Sequence, residues 1–218
     1  FLDMGPLKNA DAKYYKGEIA FWKEVMSHGN YDDFWKARNI RAHVKSVKPA
    51  VMTVGGWFDA ENLFGALEIY KHAEANSPPK HNHLVMGPWV HGGWSGGDGD
   101  RLGDVSFNAK TAPFYREKIE FPFFEAHLKG VGAEERPKAW VFETGTNVWR
   151  KHDAWPPKGA TKLAFYPQGY GKLDTTVFDT IPPELNGHSR FDEFVSDPAK
   201  PVPFINKTDI GMVKEYMT

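Results

Sequence analysis

The sequence contains no cysteine among its 218 residues. This absence excludes disulfide bonds, thiolate metal sites and a cysteine nucleophile. The two signs of charge nearly cancel, since 27 Lys and Arg residues stand against 28 Asp and Glu residues. The net charge of −1 therefore gives no electrostatic reason to expect nucleic acid or an anionic membrane as a partner. No apolar run approaches the roughly 18 residues of a membrane-spanning helix, so no membrane partner is predicted.

Aromatic and turn-forming residues are abundant. The chain has 16 Phe, 8 Tyr and 8 Trp, together with 21 Gly and 16 Pro. This composition favours a loop-rich protein with β structure over a helical bundle. The sequence starts at Phe1 without a signal-peptide pattern, and we expect it to be a fragment of a longer polypeptide.

Three regions differ in their residue patterns. Residues 1–47 predict two aromatic-rich helices, one from Asp11 to His28 and one starting at Asp32-Asp33, which suit either a cap over a pocket or ordinary packing. Residues 48–135 alternate strand, helix, strand, Gly-rich loop and helix, which predicts an α/β fold with a parallel sheet. Residues 136–218 predict short strands at 139–142, 162–166 and 190–195, as at the start of a β-sandwich or jelly roll.

Two titratable residues follow the two predicted strands of the α/β region. Asp59 lies five residues after Val54, and His91 lies five residues after Met86. Reactive groups of open α/β sheets sit beyond the carboxyl ends of the strands, so both side chains are expected at one edge. An acid followed by a histidine is the later part of the chain order Ser, Asp, His. The alternative is that Asp59 is only a turn or capping residue and His91 a bystander.

The residues around this pair resemble a known family. Segments 54–62 (VGGWFDAEN) and 86–94 (MGPWVHGGW) are similar to the acid and histidine segments of the X-prolyl dipeptidyl-peptidase-like (CocE/NonD) serine hydrolases. That group includes α-amino acid ester hydrolases, glutaryl-7-aminocephalosporanic acid acylases and cocaine esterases. The similarity continues at 149–150 and 155–157 and in the segment SDPAKPVP at 196–203, which resemble the start of that family's C-terminal jelly-roll domain.

The resemblance implies a fold and roles for four residues. The fold would be the C-terminal half of an α/β-hydrolase domain with a helical cap (1–47), an α/β portion (48–135) and a partial β jelly-roll domain (136–218). Asp59 would be the triad acid and His91 the general base. Glu61 and Asn62 stand where α-amino acid ester hydrolases carry two carboxylates that bind the substrate's α-ammonium group. Asn62 departs from that pattern, and Glu61 also fits as an acidic residue in the first turn of a helix.

The nucleophile is not found in this sequence. Ser95 lies in a G-x-S-x-G match at 93–97, but no strand precedes it, no helix follows it, and it comes after His91. In the family that the chain resembles, the serine comes well before the acid. We therefore expect the triad serine to lie outside this chain, which alone would be inactive.

No metal site or cofactor is predicted. Asp98, Asp100 and Asp104 lack the spacing of a calcium loop and are interpreted as a polar turn. His81 and His83 are weighed as a metal pair and interpreted as part of a surface loop.

The predicted function is a serine hydrolase that transfers the acyl group of an ester or amide to water. The resemblance suggests α-amino acid esters or β-lactam side chains as substrates, and it favours a periplasmic or secreted protein. The alternatives are an X-Pro dipeptidyl-peptidase, a non-catalytic module that binds a ligand on its aromatic β region, or an inert fragment. The expected partners are a small-molecule ester or amide, with an N-terminal segment of the same protein or a second copy as further partners.

Overall fold

The computed structural model describes residues 5–76, 81–132, 136–169, 171–176 and 192–197. The described residues form two compact units, whose boundary in the sequence lies between Trp155 and Pro156. Among these described residues, no helix combines the length and apolar character that a membrane crossing requires.

The N-terminal region is a series of short helical elements. In chain order they are a π-helical turn Asp11–Tyr15, α1 Ala20–Ser27, α2 Asp33–Ala37 and a 3₁₀ turn Ile40–His43. The single helix predicted from Asp11 to His28 is interrupted, because Lys16 and Gly17 adopt positive φ angles of 51° and 81°. Asp32 caps α2, since its side chain accepts a hydrogen bond from the backbone N–H of Phe34 at 3.0 Å. None of the residues in these four elements is buried.

The first unit is built on a four-stranded sheet. The described strands of the chain are β1 Val51–Gly56, β2 Asn82–Gly87, β3 Arg101–Leu102, β4 Val105–Ser106, β5 Ala139–Glu143, β6 Val148–His152, β7 Tyr166–Gln168 and β8 Lys172–Asp174. The sheet has the order β1-β2-β5-β6, in which β1, β2 and β5 are parallel and β6 is antiparallel to β5. Gly56 at the end of β1 stands opposite Gly87 at the end of β2, so the two strands finish at the same edge.

Helices pack against this sheet. They are α3 Leu63–Asn76, α4 Thr111–Tyr115 and α5 Phe121–Lys129, with a π-helical segment Arg116–Glu120 joining the last two. All six residues of β2 are buried. Leu84 and Met86 pack with Tyr70 of α3 and Val141 of β5 in one core cluster. Burial of a Leu or Met side chain contributes roughly 1.5–3 kcal/mol to the free energy of folding. β2 is the only strand of this sheet in which every residue is buried, so burial stabilises it most.

The strand predicted at 139–142 lies in this sheet and not in a separate β domain. Val141 of β5 stands opposite Met86 of β2, and Trp149 of β6 stands opposite Phe142. A short apolar run is compatible with a parallel sheet and with a sandwich strand, and only the pairing partner distinguishes them. The α/β unit therefore extends past residue 136, the predicted start of the jelly roll, to Trp155.

The second unit contains one described hairpin, β7 with β8. Gly171 in its turn has a φ of 63°, and its N–H donates to Asp192 Oδ2 at 2.7 Å. The predicted strand at 162–166 is present only at its last residue, and residues 192–195 of the strand predicted at 190–195 are not a strand. Residues 190, 191 and 198–203, including most of the SDPAKPVP segment, lie outside the described residues. The jelly roll stays a prediction.

Candidate active site

Glycines allow the loops after β1 and β2 to approach closely. A Cβ on Gly56 would lie 2.1 Å from the carbonyl oxygen of Trp89, and one on Gly87 would lie 2.3 Å from the Trp89 ring. The backbones are joined directly, because the N–H of Trp57 donates to Gly87 O at 2.8 Å and that of Phe58 to Trp89 O at 3.1 Å. Only residues without a side chain permit this contact, which fixes the two loops against each other.

Asp59 lies buried in the first of these loops, with only 2% of its side chain exposed. Its Oδ1 accepts hydrogen bonds from the N–H groups of Glu61 and Asn62, both at 2.9 Å. Its Oδ2 accepts a hydrogen bond from Nδ1 of His91 at 3.0 Å. Burial raises the pKa of Asp59, but the N–H groups of Asn62 and Glu61 and the His91 ring outweigh burial, so its pKa lies below the usual value. Asp59 is therefore an ionised carboxylate at neutral pH.

His91 lies in the second loop, with 46% of its side chain exposed. The hydrogen bond to Asp59 and the charge of that carboxylate raise the pKa of His91, and the charge of Glu61 adds to the effect. Because an ionised carboxylate can only accept, Nδ1 must carry the proton of the neutral ring. The lone pair then lies on Nε2, which can act as a general base.

An aromatic cluster supports the loop that carries His91. The Trp89 ring packs against Trp94 and Tyr115, with centroids 6.1 Å and 5.6 Å away. Its Nε1 donates to Oγ1 of Thr111 at 2.8 Å, which anchors the loop to α4. Trp89 and Thr111 were not predicted from the sequence to be positioning residues. The available signal was a tryptophan only two residues before the histidine.

Glu61 and Asn62 both lie exposed after Asp59. The side chain of Asn62 lies over Gly65, where an added Cβ would be 1.9 Å from Asn62 Oδ1. Asn62 also lines a cleft of about 400 Å³ together with Arg38, Arg41 and other residues between the 3₁₀ turn, β1 and α3. Neither Asp59 nor His91 lines this cleft. The two arginines belong to no sequence motif and were not predicted to line a cleft.

Ser95 lies in a turn after His91. Its hydroxyl donates to the carbonyl oxygen of Gly92 at 2.7 Å, within the same turn. Residues 91–97 form turns and bends, so a strand-to-helix elbow is absent at this position. Asp98, one of the three aspartates considered as calcium ligands, forms an ion pair with Lys110 at 3.0 Å.

The mixed α/β fold with its mostly parallel sheet is similar to that of α/β-hydrolase-like enzymes. Residues 4–93 match the model of the X-Pro dipeptidyl-peptidase (S15) family. The predicted resemblance to the X-prolyl dipeptidyl-peptidase-like hydrolases is thus confirmed.

Individual relatives are hydrolases as well. Cocaine esterase of Rhodococcus sp. (strain MB1 Bresler) is 27% identical over 201 residues, which are 88% of this chain and 33% of the esterase. The crystal structure of an aminopeptidase from a marine sediment archaeon, Thaumarchaeota archaeon, has a TM-score of 0.82 at 31% identity, and the match covers 99% of this chain and 34% of that one.

A selenomethionine-labelled α-amino acid ester hydrolase also has a TM-score of 0.82 at 31% identity, over 95% of this chain and 34% of that one. The chain therefore spans about a third of the length of each of these relatives.

Proposed function

We propose that this chain supplies the acid and the base of a serine hydrolase that cleaves an ester or an amide. The observation that carries the proposal is the hydrogen bond from His91 Nδ1 to the buried Oδ2 of Asp59. The two residues follow adjacent parallel strands at the carboxyl-end edge of the sheet, where open α/β sheets carry their reactive groups, and they occur in the chain order acid then histidine. The hydrolases among the relatives support the same reaction class.

In the proposed mechanism, a serine from outside the described residues attacks the carbonyl carbon of the substrate. Nε2 of His91 takes the hydroxyl proton as the new C–O bond forms, and Asp59 stabilises the resulting imidazolium while staying ionised. His91 then returns the proton to the departing alkoxide or amine. Water attacks the acyl-enzyme by the same route, with His91 again as the base, and releases the acid and the free serine.

We assign Glu61 and Asn62 to the polar or amino end of the acyl group. Glu61 is an exposed carboxylate two residues after Asp59, and its charge contributes to the raised pKa of His91, so we place a substrate cation beside it. One carboxylate and one amide attract an ammonium group less than two carboxylates would, so selectivity for a free amino group is expected to be modest. An X-Pro dipeptidyl-peptidase is the second candidate, because the matching family model carries that name.

Covalent labelling tests the proposal on the intact protein. A fluorophosphonate probe should label the unaltered protein, which should also hydrolyse p-nitrophenyl esters. His91→Ala should lower kcat by roughly 10⁵- to 10⁶-fold and abolish labelling, because the serine loses its base. His152→Gln removes an imidazole on β6 and should change neither readout.

Two outcomes would contradict the proposal. Near-normal turnover in His91→Ala would remove His91 from the mechanism. Ligand binding by the unaltered protein without any probe labelling would favour a non-catalytic binding module.

A further inference from the structure

Three histidines converge at the amino end of β2. They are His81, just before the strand, His83 within it, and His127 on α5. One ring nitrogen from each lies within 4.8 Å of the others. His81 is a turn residue directly before β2 and His83 is the second residue of that strand, so both lie at its amino end. The interpretation of both as surface-loop residues was wrong for His83, which is 6% exposed.

His83 is held in the form that a metal ion requires. Its Nδ1 lies 2.9 Å from the carbonyl oxygen of Pro137, which can only accept, so Nδ1 carries the proton. The lone pair of the neutral ring is then on Nε2, which is buried and has no hydrogen-bond partner in the part of the chain that the structure describes. A ligating imidazole whose other nitrogen donates to a backbone carbonyl is the usual arrangement in metal sites.

We propose that His81, His83 and His127 bind a divalent transition-metal ion, and that Zn²⁺ is this ion. Zn²⁺ accepts three imidazoles with a fourth ligand from solvent, at Zn–N distances of about 2.0–2.1 Å. Tetrahedral geometry then places the nitrogens about 3.3 Å apart. The three nitrogens lie within 4.8 Å of one another, so half-buried His81 and His127 need to move closer by up to roughly 1.5 Å. Mg²⁺ and Ca²⁺ are excluded because they prefer oxygen ligands.

The surroundings suit a bound cation. The ring of Phe123 packs against His127 and His83, with centroids 4.6 Å and 6.0 Å away, and places an apolar group beside both rings. The positive charge of Lys138 is offset by Glu74, whose Oε1 lies 3.0 Å from its Nζ. Two neighbouring elements, β2 and α5, each contribute a ligand.

The site is structural and separate from the chemistry at Asp59. His83 precedes the end of β2 by four residues, which is about 13 Å of extended chain, and His91 lies beyond that end. The ion would therefore join α5 to the sheet at the edge opposite the proposed active site. Its loss should lower stability and leave kcat unchanged.

Zinc binding tests this site on the intact protein. After treatment with EDTA and desalting, calorimetric titration with Zn²⁺ should show one ion per chain and a rise in Tm. Co²⁺ in its place should give the visible absorption of a tetrahedral site. His127→Ala should lower the affinity for Zn²⁺ by more than roughly 10- to 100-fold. That range is the loss in affinity expected when a hydrogen-bond partner of a ligand, and not the ligand itself, is removed. His72→Ala on α3 removes a half-buried histidine elsewhere and should bind Zn²⁺ as before.

His81→Ala provides a second variant that removes a ligand without touching α5. Circular dichroism of both metal-free variants should show that they are folded. The proposal is overturned if the unaltered protein binds no stoichiometric Zn²⁺, or if both variants bind it as tightly as His72→Ala does. These readouts do not depend on ester hydrolysis, so failure of the metal site and failure of the proposed function are distinguishable.

Discussion

The two ends of β2 place histidines in opposite environments. At the carboxyl end, His91 is partly exposed and faces the ionised Asp59, whose hydrogen bond raises its pKa. At the amino end, burial lowers the pKa of His83, although the Pro137 carbonyl acts in the opposite direction. The first environment favours a proton acceptor that becomes a stable cation, and the second favours a neutral ring. The comparison shows that the partner and the burial of an imidazole decide its chemistry.

The largest expected effect is a loss of kcat from a change at the carboxyl end of β2. Asp59→Asn should lower kcat for ester hydrolysis by about 10⁴-fold, because the amide no longer holds the Nδ1–H tautomer or stabilises the imidazolium. An amide oxygen can still accept from the N–H groups of Glu61 and Asn62, so the fold should be kept. Steady-state kinetics of the intact protein check this, with Asp104→Asn in the exposed β3–β4 turn as the matched control. Equal losses in both variants would contradict the assignment.

The next largest effect is expected from a change that separates the loops after β1 and β2. It tests whether stability and activity depend on the close contact between these loops. Gly56→Ala should destabilise the protein by roughly 1–3 kcal/mol and also lower activity, because its Cβ meets the Trp89 backbone. Gly29→Ala is the control, since a Cβ there meets nothing within 4 Å. Urea denaturation measures both. A neutral Gly56→Ala would show that the loops are able to separate without cost.

A change at the amino end should affect stability alone. Asn82 is fully buried, and its Nδ2 donates to Glu74 Oε2 at 2.8 Å and to the Tyr70 carbonyl at 3.3 Å. Asn82→Ala should cost about 1–3 kcal/mol by leaving these groups without a partner, with kcat unchanged. Asn76→Ala at the exposed end of α3 serves as the control. A fall in kcat for Asn82→Ala would show that the two ends are coupled.

The smallest effect concerns the pH dependence at His91. Because Asp59 raises the pKa of His91, kcat/KM should rise with pH along a limb centred above the usual histidine value of about 6.5. The same shift stabilises the folded protein below about pH 6.5, and that contribution is lost as the pH rises through the folded pKa. NMR titration of the His91 ring should show the pKa falling most in Asp59→Asn and less in Glu61→Gln. Glu125→Gln on α5 should leave it unchanged, and an unmoved pKa in Asp59→Asn would contradict the pairing.

Much of the carboxyl end could be predicted from the sequence. The apolar runs before Gly55 and Gly87 indicated two parallel strands, and Asp59 and His91 follow them at equal spacing. Local sequence could not assign the strand at 139–143, because its apolar pattern suits a sandwich as well as a parallel sheet. The pairing of Val141 with Met86 settled it. The helix predicted from Asp11 was also too long, since Lys16 and Gly17 break it at positive φ.

The sequence by itself determined the α/β class of the first unit and the residue types at the edge where Asp59 and His91 lie. These follow from patterns within a few residues, since strand ends and turns are set by local apolar runs and glycines. Tertiary structure decided which groups meet: Asp59 with His91 across 32 residues, and His83 with His127 across two elements. It also decided their charge states, because burial and hydrogen-bond partners depend on residues distant in the sequence.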